Sequence, residues 1–445
     1  MKIMFSVQRS ALRVLIFILS LFTVHYSLFT EVHAKIYIDI NAPSFRSLPI
    51  AIADFKNFSD SNDRDGHGRK IAEVIRKNLD FPGFFDILNP ASFVEDPNRA
   101  GVIEERIDFK DWSTIGAEAL VKGGIIIEGQ RLTIEARLFD VFQGRMISGK
   151  RYTGEIKDIR KIAHRFSNEI VRSFTGEEGI FETGIAFLVN SGGKKDINIM
   201  DYDGYNMRKL TNSGSLNLSP NWSPDGTKIV FSSERGRSWW IYTIDVRTRE
   251  EKRLTFERGL NISPSFSPQG ERIAFTHSKD GNSDIYLMEG NNTRRITNHW
   301  AADISPSWSP DGKGIAFVSD RPGSPQIYIM DSNGENVRRL TFEGSYNVSP
   351  SWSPRGDKIA FASRRNGKFE ICIINPDGFG FQQLTAAGNN EDPQWSPDGR
   401  YIVFSSKRNG KTGIYTMRAN GENQRLITPS DITAIDPAWS FRPKE

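Results

Sequence analysis

Ser305-Pro-Ser-Trp-Ser-Pro-Asp-Gly-Lys-Gly-Ile-Ala-Phe317 packs two prolines, a tryptophan and a Pro-Asp-Gly turn into thirteen positions. Nearly the same string returns along the chain. Copies begin at residues 219 (SPNWSPDGTKIVF), 263 (SPSFSPQGERIAF), 349 (SPSWSPRGDKIAF) and 392 (DPQWSPDGRYIVF), with a shortened DPAWSFRP from 436. The aromatic residue marks the period: Trp222, Phe266, Trp308, Trp352, Trp395 and Trp439 are separated by 44, 42, 44, 43 and 44 residues. A repeat of about 40–45 residues suits a four-stranded propeller blade, whereas helical repeats of that length need long stretches with a 3.6-residue period. The sequence has no such stretches between its copies.

Within one copy the local chemistry reads as strands. In Ser309-Pro310-Asp311-Gly312 the proline presets φ at the second turn position and glycine suits the fourth, the preference of a type I turn. This turn joins a short strand carrying Trp308 to a strand at Ile315–Phe317. A third strand, Gln326–Met330, an Asn333-Gly334 turn and a fourth strand ending at Thr341 follow. Four short strands bounded by Gly, Pro, Asn or Asp make one blade. Burying an aromatic side chain removes roughly 150–250 Å² from water. At ~25 cal/mol per Å² that is about 4–6 kcal/mol, an upper bound. One blade cannot bury such a residue alone, so each Trp is expected at the seam between neighbours, as packing and not as a ligand box.

Counting strands closes the ring. The Ile-Ala-Phe type of strand occurs six times, first at 185–187, where no Trp strand precedes it. The Trp strand also occurs six times, and its last copy, 436–440, has no Ile-Ala-Phe strand after it. Asp436–Ser440 should therefore complete the blade begun by residues 185–211. The expected fold is a β-propeller of six four-stranded blades over 179–445, preceded by a smaller α+β domain.

Residues 1–34 read as a signal peptide, with Lys2, Arg9 and Arg13 before the apolar stretch Val14–Val24 and Val32-His33-Ala34 as the cleavage site. Eleven apolar residues fall short of the ~20 that span a bilayer, and no later stretch qualifies as a membrane helix. The exported chain should start near Lys35 and be monomeric. Cys372 is the single thiol, so no intrachain disulfide is expected, which suits a bacterial periplasm better than a small stapled secreted scaffold. The balance of 58 basic against 54 acidic residues gives no footprint for nucleic acid. In residues 35–178, Pro49–Phe55 reads as a buried strand, and 124–128, 131–139 and 146–152 as antiparallel strands. Residues 68–79 and 156–174 carry apolar positions at helical spacing, and Thr175-Gly-Glu-Glu-Gly179 leads into the propeller.

Together these elements resemble the TolB family, the periplasmic propellers of the Tol-Pal system of Gram-negative bacteria. The resemblance rests on the signal peptide, the arm Ile36-Tyr-Ile-Asp-Ile40, the stretch from Ala163 to Phe181 that includes Phe-Thr-Gly-Glu-Glu-Gly, the Ser-Pro-x-Trp-Ser-Pro-Asp-Gly copies and Met200-Asp-Tyr-Asp-Gly-Tyr-Asn206. It covers nearly the whole exported chain, with Phe266, Gln269 and Arg355 as small departures. It implies a binding protein and not an enzyme. Such proteins bind the peptidoglycan-associated lipoprotein through a propeller face and TolA through the N-terminal arm, and so support outer-membrane invagination at division and envelope integrity.

The loops that lead into each Trp strand should share one face of the ring with the loops between second and third strands. Asn217, Asn261, Ser263, Asp303, Ser305, Asn347 and Glu391 are expected to set small polar and acidic groups around the channel mouth, with Arg321 and Arg364 on a basic rim that steers a partner. In the arm, Lys35, Tyr37, Asp39 and Asn41 are candidates for strand addition to a partner sheet. The acidic centre offers the several oxygen ligands that a calcium ion takes, but no catalytic, cofactor or metal residue is assigned. Asp63–Gly68 lacks the ligands of a calcium loop at its fifth and twelfth places and should instead cap the next helix. His67, His164, His277 and His299 show no metal-ligand spacing. The other class of function is an envelope propeller hydrolase or glycan-binding lectin, though the G-x-S-x-G elbow is absent from the sequence.

Overall fold

The computed structural model describes residues 37–39, 46–59, 63, 65–95, 101–279 and 281–442. The signal peptide expected over 1–34 lies outside them. The chain divides into two compact units, 1–46 and 47–445, and the fold below is that of the second.

Its first layer is a mixed sheet with helices on both faces. The strands are β1 (Leu48–Ile52), β2 (Lys56–Asn57), β3 (Phe85–Ile87), β4 (Ala119–Glu128), β5 (Arg131–Asp140) and β6 (Arg145–Glu155), and the helices α1 (His67–Asp80), α2 (Phe109–Thr114) and α3 (Ile159–Thr175). α1 and α3 pack together over one face, and Trp112 of α2 packs on Ala51, Leu120 and Phe139 of the other. The sheet runs β3-β1-β4-β5-β6, with β2 beside β4. β4, β5 and β6 pair antiparallel as the sequence leads one to expect, while β1 is parallel to both β3 and β4. In β5 the alternation is explicit: Leu132, Ile134, Ala136 and Leu138 are buried between half-buried Thr133, Glu135 and Arg137. The Asp63 carboxylate accepts the amides of His67 (2.8 Å) and Gly68 (2.9 Å), so this loop does cap α1. Glycine at 176 takes φ 73° and ends α3, a conformation that a side chain would resist.

The propeller has six blades. Blades 3 to 6 are separate four-stranded antiparallel sheets, and blades 1 and 2 are linked by one parallel bridge between Leu216 and Lys195. The last strand, Ala434–Trp439, pairs antiparallel with Gly184–Ser191 and becomes the innermost strand of blade 1. The ring is thus closed by both ends of its own sequence, as counting the strands implied.

The tryptophans sit at the seams. Trp308 packs with Ala274, Ile285 and Leu287 of blade 3 and with Ile315, Phe317 and Tyr328 of its own blade. Its indole N–H donates to the Ser265 carbonyl of the preceding blade at 3.1 Å. Trp395 and Trp222 repeat the bond, to Ser351 and Ala438, both at 3.0 Å. Phe266 keeps the packing but has no such donor. In the turn that follows, the Ser309 hydroxyl donates to Asp311 at 2.6 Å, and Gly312 at φ 71° carries the chain back.

The sheet-and-helix layer packs on the propeller through turns that join first to second and third to fourth strands. Phe81 lies between Tyr202 and Tyr401, with ring centroids 5.4 and 4.5 Å away, and the Arg425 guanidinium sits 4.1 Å over it. The Tyr202 hydroxyl donates to Asn78 Oδ1 (2.7 Å), and Asn78 Nδ2 donates to Ser167 (2.8 Å), so α1, α3 and blade 1 share one buried relay. Arg400 and Arg355 reach Glu177, at 2.9 and 3.5 Å. Because Trp308 serves two blades at once, Trp308→Ala should lower unfolding stability by about 3–5 kcal/mol. Urea denaturation followed by fluorescence and circular dichroism checks this; a cost under about 1 kcal/mol would contradict the seam role.

Candidate functional site

The channel through the ring is built by one backbone device. In every innermost strand the residue before proline bends into positive φ: Ser219, Ser263, Ser305, Ser349, Asp392 and Asp436 lie between 50° and 55°. Pairing with the second strand slips at each of these points. The bend turns an N–H away from the ladder, and in three blades a hydroxyl of the preceding blade accepts it. Ser263 donates to Ser232 (3.1 Å), Ser305 to Thr276 (3.1 Å) and Asp436 to Ser405 (2.9 Å). The four serines and two aspartates line a cavity of about 110 Å³.

Two carboxylates therefore face each other's sector of one narrow channel. Asp436 accepts the Ser219 amide at 2.7 Å, and Asp392 accepts the Ser349 hydroxyl at 2.9 Å. Burial pushes both acids up from the ordinary range; the Asp436 charge pushes Asp392 further, while Lys195 opposes the rise at both. With the serine hydroxyls, these are the oxygen donors that a cation such as calcium would use.

The positions singled out in the leading loops fall into two groups. Ser263 and Ser305 do line the channel. Asn217, Asn261, Asp303 and Asn347 are buried to within 1%, so the expectation that their side chains ring the open mouth is corrected. Each braces its loop against buried backbone or charge nearby. Asn217 donates to the Lys195 carbonyl (2.8 Å), Asn261 to those of Trp239 (3.0 Å) and Glu257 (3.1 Å), and Asn347 to that of Glu343 (2.8 Å). Asp303 takes the Arg321 guanidinium at 2.7 Å, which commits that arginine inward too and removes it from a free basic rim. Glu391, half-buried, accepts from Asn389, and Arg364 is exposed. In the arm, Tyr37 and Asp39 are exposed, whereas Lys35 and Asn41 lie outside the described residues.

The mouth formed by the leading loops carries something else. Phe256, Trp300 and Phe342 are 73%, 76% and 73% exposed, in the loops that lead into blades 3, 4 and 5. Arg253 lies 4.9 Å from the Phe256 ring and Arg339 4.8 Å from that of Phe342. The sequence signal was present: both phenylalanines directly follow a Leu-Thr pair at the end of a blade, two repeats apart. At the opposite mouth, on the side of the sheet-and-helix layer, the Trp edges, four prolines and Phe441 line a larger cavity of about 300 Å³.

The carboxylate pair has a measurable consequence. An Asp whose folded pKa is raised binds protons more readily folded than unfolded, so stability falls as pH rises from the ordinary 3.8 toward about 7. Asp392→Asn should flatten that fall, at the cost of roughly 1 kcal/mol at all pH values for the weakened Ser349 bond. Urea midpoints at about pH 4.5 and about pH 7.5 read the slope; an equal slope in wild type and variant would show that Asp392 does not carry it.

Comparison with known proteins places the whole arrangement. A family model described as the TolB beta propeller domain matches residues 171–442, and one described as the TolB amino-terminal domain matches 36–147. The Tol-Pal system protein TolB of Desulfosudis oleivorans is 40% identical over 267 residues, which are 60% of this chain and 61% of that protein. That of Geobacter metallireducens is 43% identical over 193 residues, 43% of this chain and 44% of that protein. The chain thus spans about half to three-fifths of the length of the curated relatives it matches. The crystal structure of TolB from Acinetobacter baumannii superposes with a TM-score of 0.76 at 28% identity, covering 91% of this chain and 99% of that one. With its propeller and its preceding layer both matched, this chain belongs to the TolB family.

Proposed function

We propose that the chain is a periplasmic protein-interaction scaffold of the Tol-Pal system, acting as a monomer and without catalysis. On this reading the mouth with the leading loops docks the peptidoglycan-associated lipoprotein, and the arm Lys35–Pro43 docks TolA by strand addition. The two contacts would help the outer membrane follow the inner layers during division and keep it intact. Membership of the family supports the assignment to the Tol-Pal system.

The observation that carries the docking face is the row of aromatic side chains at Phe256, Trp300 and Phe342. Three neighbouring blades project them from a mouth at which Asn217, Asn261, Asp303 and Asn347 are braced inward. Aromatic residues rimmed by arginine are what protein interfaces concentrate at their energetic centre. Within the arm, Tyr37 is likewise 62% exposed. A second reading, a glycan-binding lectin, draws on the aromatic-lined cavity at the other mouth.

Calorimetric titration separates the two. The soluble domain of the peptidoglycan-associated lipoprotein should bind one to one, and Phe256→Ala or Phe342→Ala should weaken it about tenfold, the ~1.4 kcal/mol of a moderate hot spot. Deleting residues 35–43 should abolish binding of the TolA C-terminal domain and leave the lipoprotein titration intact. Absence of lipoprotein heat at about 100 μM, a regime in which even weak docking registers, would sink the reading. Heat from peptidoglycan fragments would then favour the lectin.

A further inference from the structure

Where α3 meets blade 1, His164 of the helix converges with Asp201 and Asp203. His164, in the second turn of α3, is 3% exposed, and neither ring nitrogen has a hydrogen-bond partner. Its ring stands edge-on to Tyr202 with centroids 5.7 Å apart. Asp201 ends the third strand of blade 1 and Asp203 sits in the turn beyond it. One nitrogen of His164 and one carboxylate oxygen from each aspartate all lie within 4.8 Å of one another.

We propose that His164, Asp201 and Asp203 bind a divalent first-row transition ion, with zinc as the fitting case, and that the ion ties α3 to the first blade. A buried imidazole with both nitrogens unpaired is a costly arrangement that native structures avoid unless something else meets it. One imidazole and two carboxylates are the ligand types that zinc accepts, with a fourth position left for water. A nitrogen donor disfavours calcium and magnesium, which take oxygen.

The charges around the cluster agree. Arg160 reaches Asp203 Oδ2 at 2.5 Å and lies 3.7 Å from the Tyr205 ring, so two carboxylates face its guanidinium. Asp203 Oδ1 receives only a long 3.4 Å contact from the Tyr205 amide, and Asp201 Oδ2 accepts from Asn206 at 2.5 Å. Each aspartate has a second oxygen to offer. Both buried ring nitrogens of His164 lack a protein partner, so ligation by either breaks no hydrogen bond. Arg160 has the Tyr205 face to rest on if Asp203 turns toward the ion.

The test is titration of the metal-free full-length protein with zinc chloride alone, with cobalt(II) absorption as a spectroscopic reporter of the ligands. The expected result is one ion per chain. His164→Ala and Asp201→Asn should each weaken it by more than the ~10–100-fold that losing a supporting outer group costs. His299→Ala, at the other mouth, should leave the titration unchanged. If His164→Ala does not fold, Asp201→Asn still decides, because it keeps the imidazole and its packing. No uptake up to about 1 mM zinc, where even a Kd of that order would register, overturns the proposal. So does zinc binding unaltered by Asp201→Asn, or calcium displacing zinc at equal concentration.

Discussion

The propeller depends on a bend that each innermost strand makes just before its proline. Positive φ at a serine or aspartate costs of order 1–3 kcal/mol and persists only where the surroundings over-determine it. Here the surroundings are the neighbouring blade: its hydroxyls accept the turned N–H at Ser263 and Ser305, and the indole N–H of Trp308 is anchored to a carbonyl of the preceding blade's innermost strand. Neither interaction can form within a lone blade. The same bend that strains the backbone opens the channel, seats the aromatic residue and fixes where the leading loop emerges.

Six nearly equal copies do not make a symmetric surface. The two aspartates of the channel ring fall in adjacent blades, 6 and 1, and the sheet-and-helix layer grips the same sector through Tyr401, Arg400, Tyr202 and Asp203. The exposed aromatics occupy loops leading into blades 3 to 5, at the opposite mouth. Sequence drift among the repeats has thus separated an acidic, layer-bearing sector from a bare, aromatic one. Rigid inter-blade packing between them leaves little room for either to move alone.

The propeller was legible because each repeat spells its own turn, strand and seam residue, and because the orphan strands at 185–187 and 436–440 could only complete each other. The helices of the first layer were legible from their apolar spacing. β3 and α2 were not: a three-residue strand beside β1 and a six-residue helix are too short to impose a period. The leading loops misled in one respect. Asn217, Asn261 and Asn347 look like solvent-facing loop residues, yet each amide satisfies nearby backbone carbonyls that would otherwise be buried unpaired. His164 and Asp203 were invisible as a pair, since their spacing of 39 residues becomes a contact only once α3 lies on blade 1.

The closing strand sets an order of events. Trp439 donates its indole N–H to Thr183, 256 residues earlier, and the Ser440 amide reaches the Gly184 carbonyl. A chain folding from its amino-terminal side must carry the strand Gly184–Ser191 with one edge open until Ala434–Trp439 docks on it. During that interval blade 1 offers unpaired backbone groups to any passing strand, and so many distant contacts make for slow folding. The molecule is therefore most vulnerable to mispairing while that edge stays open.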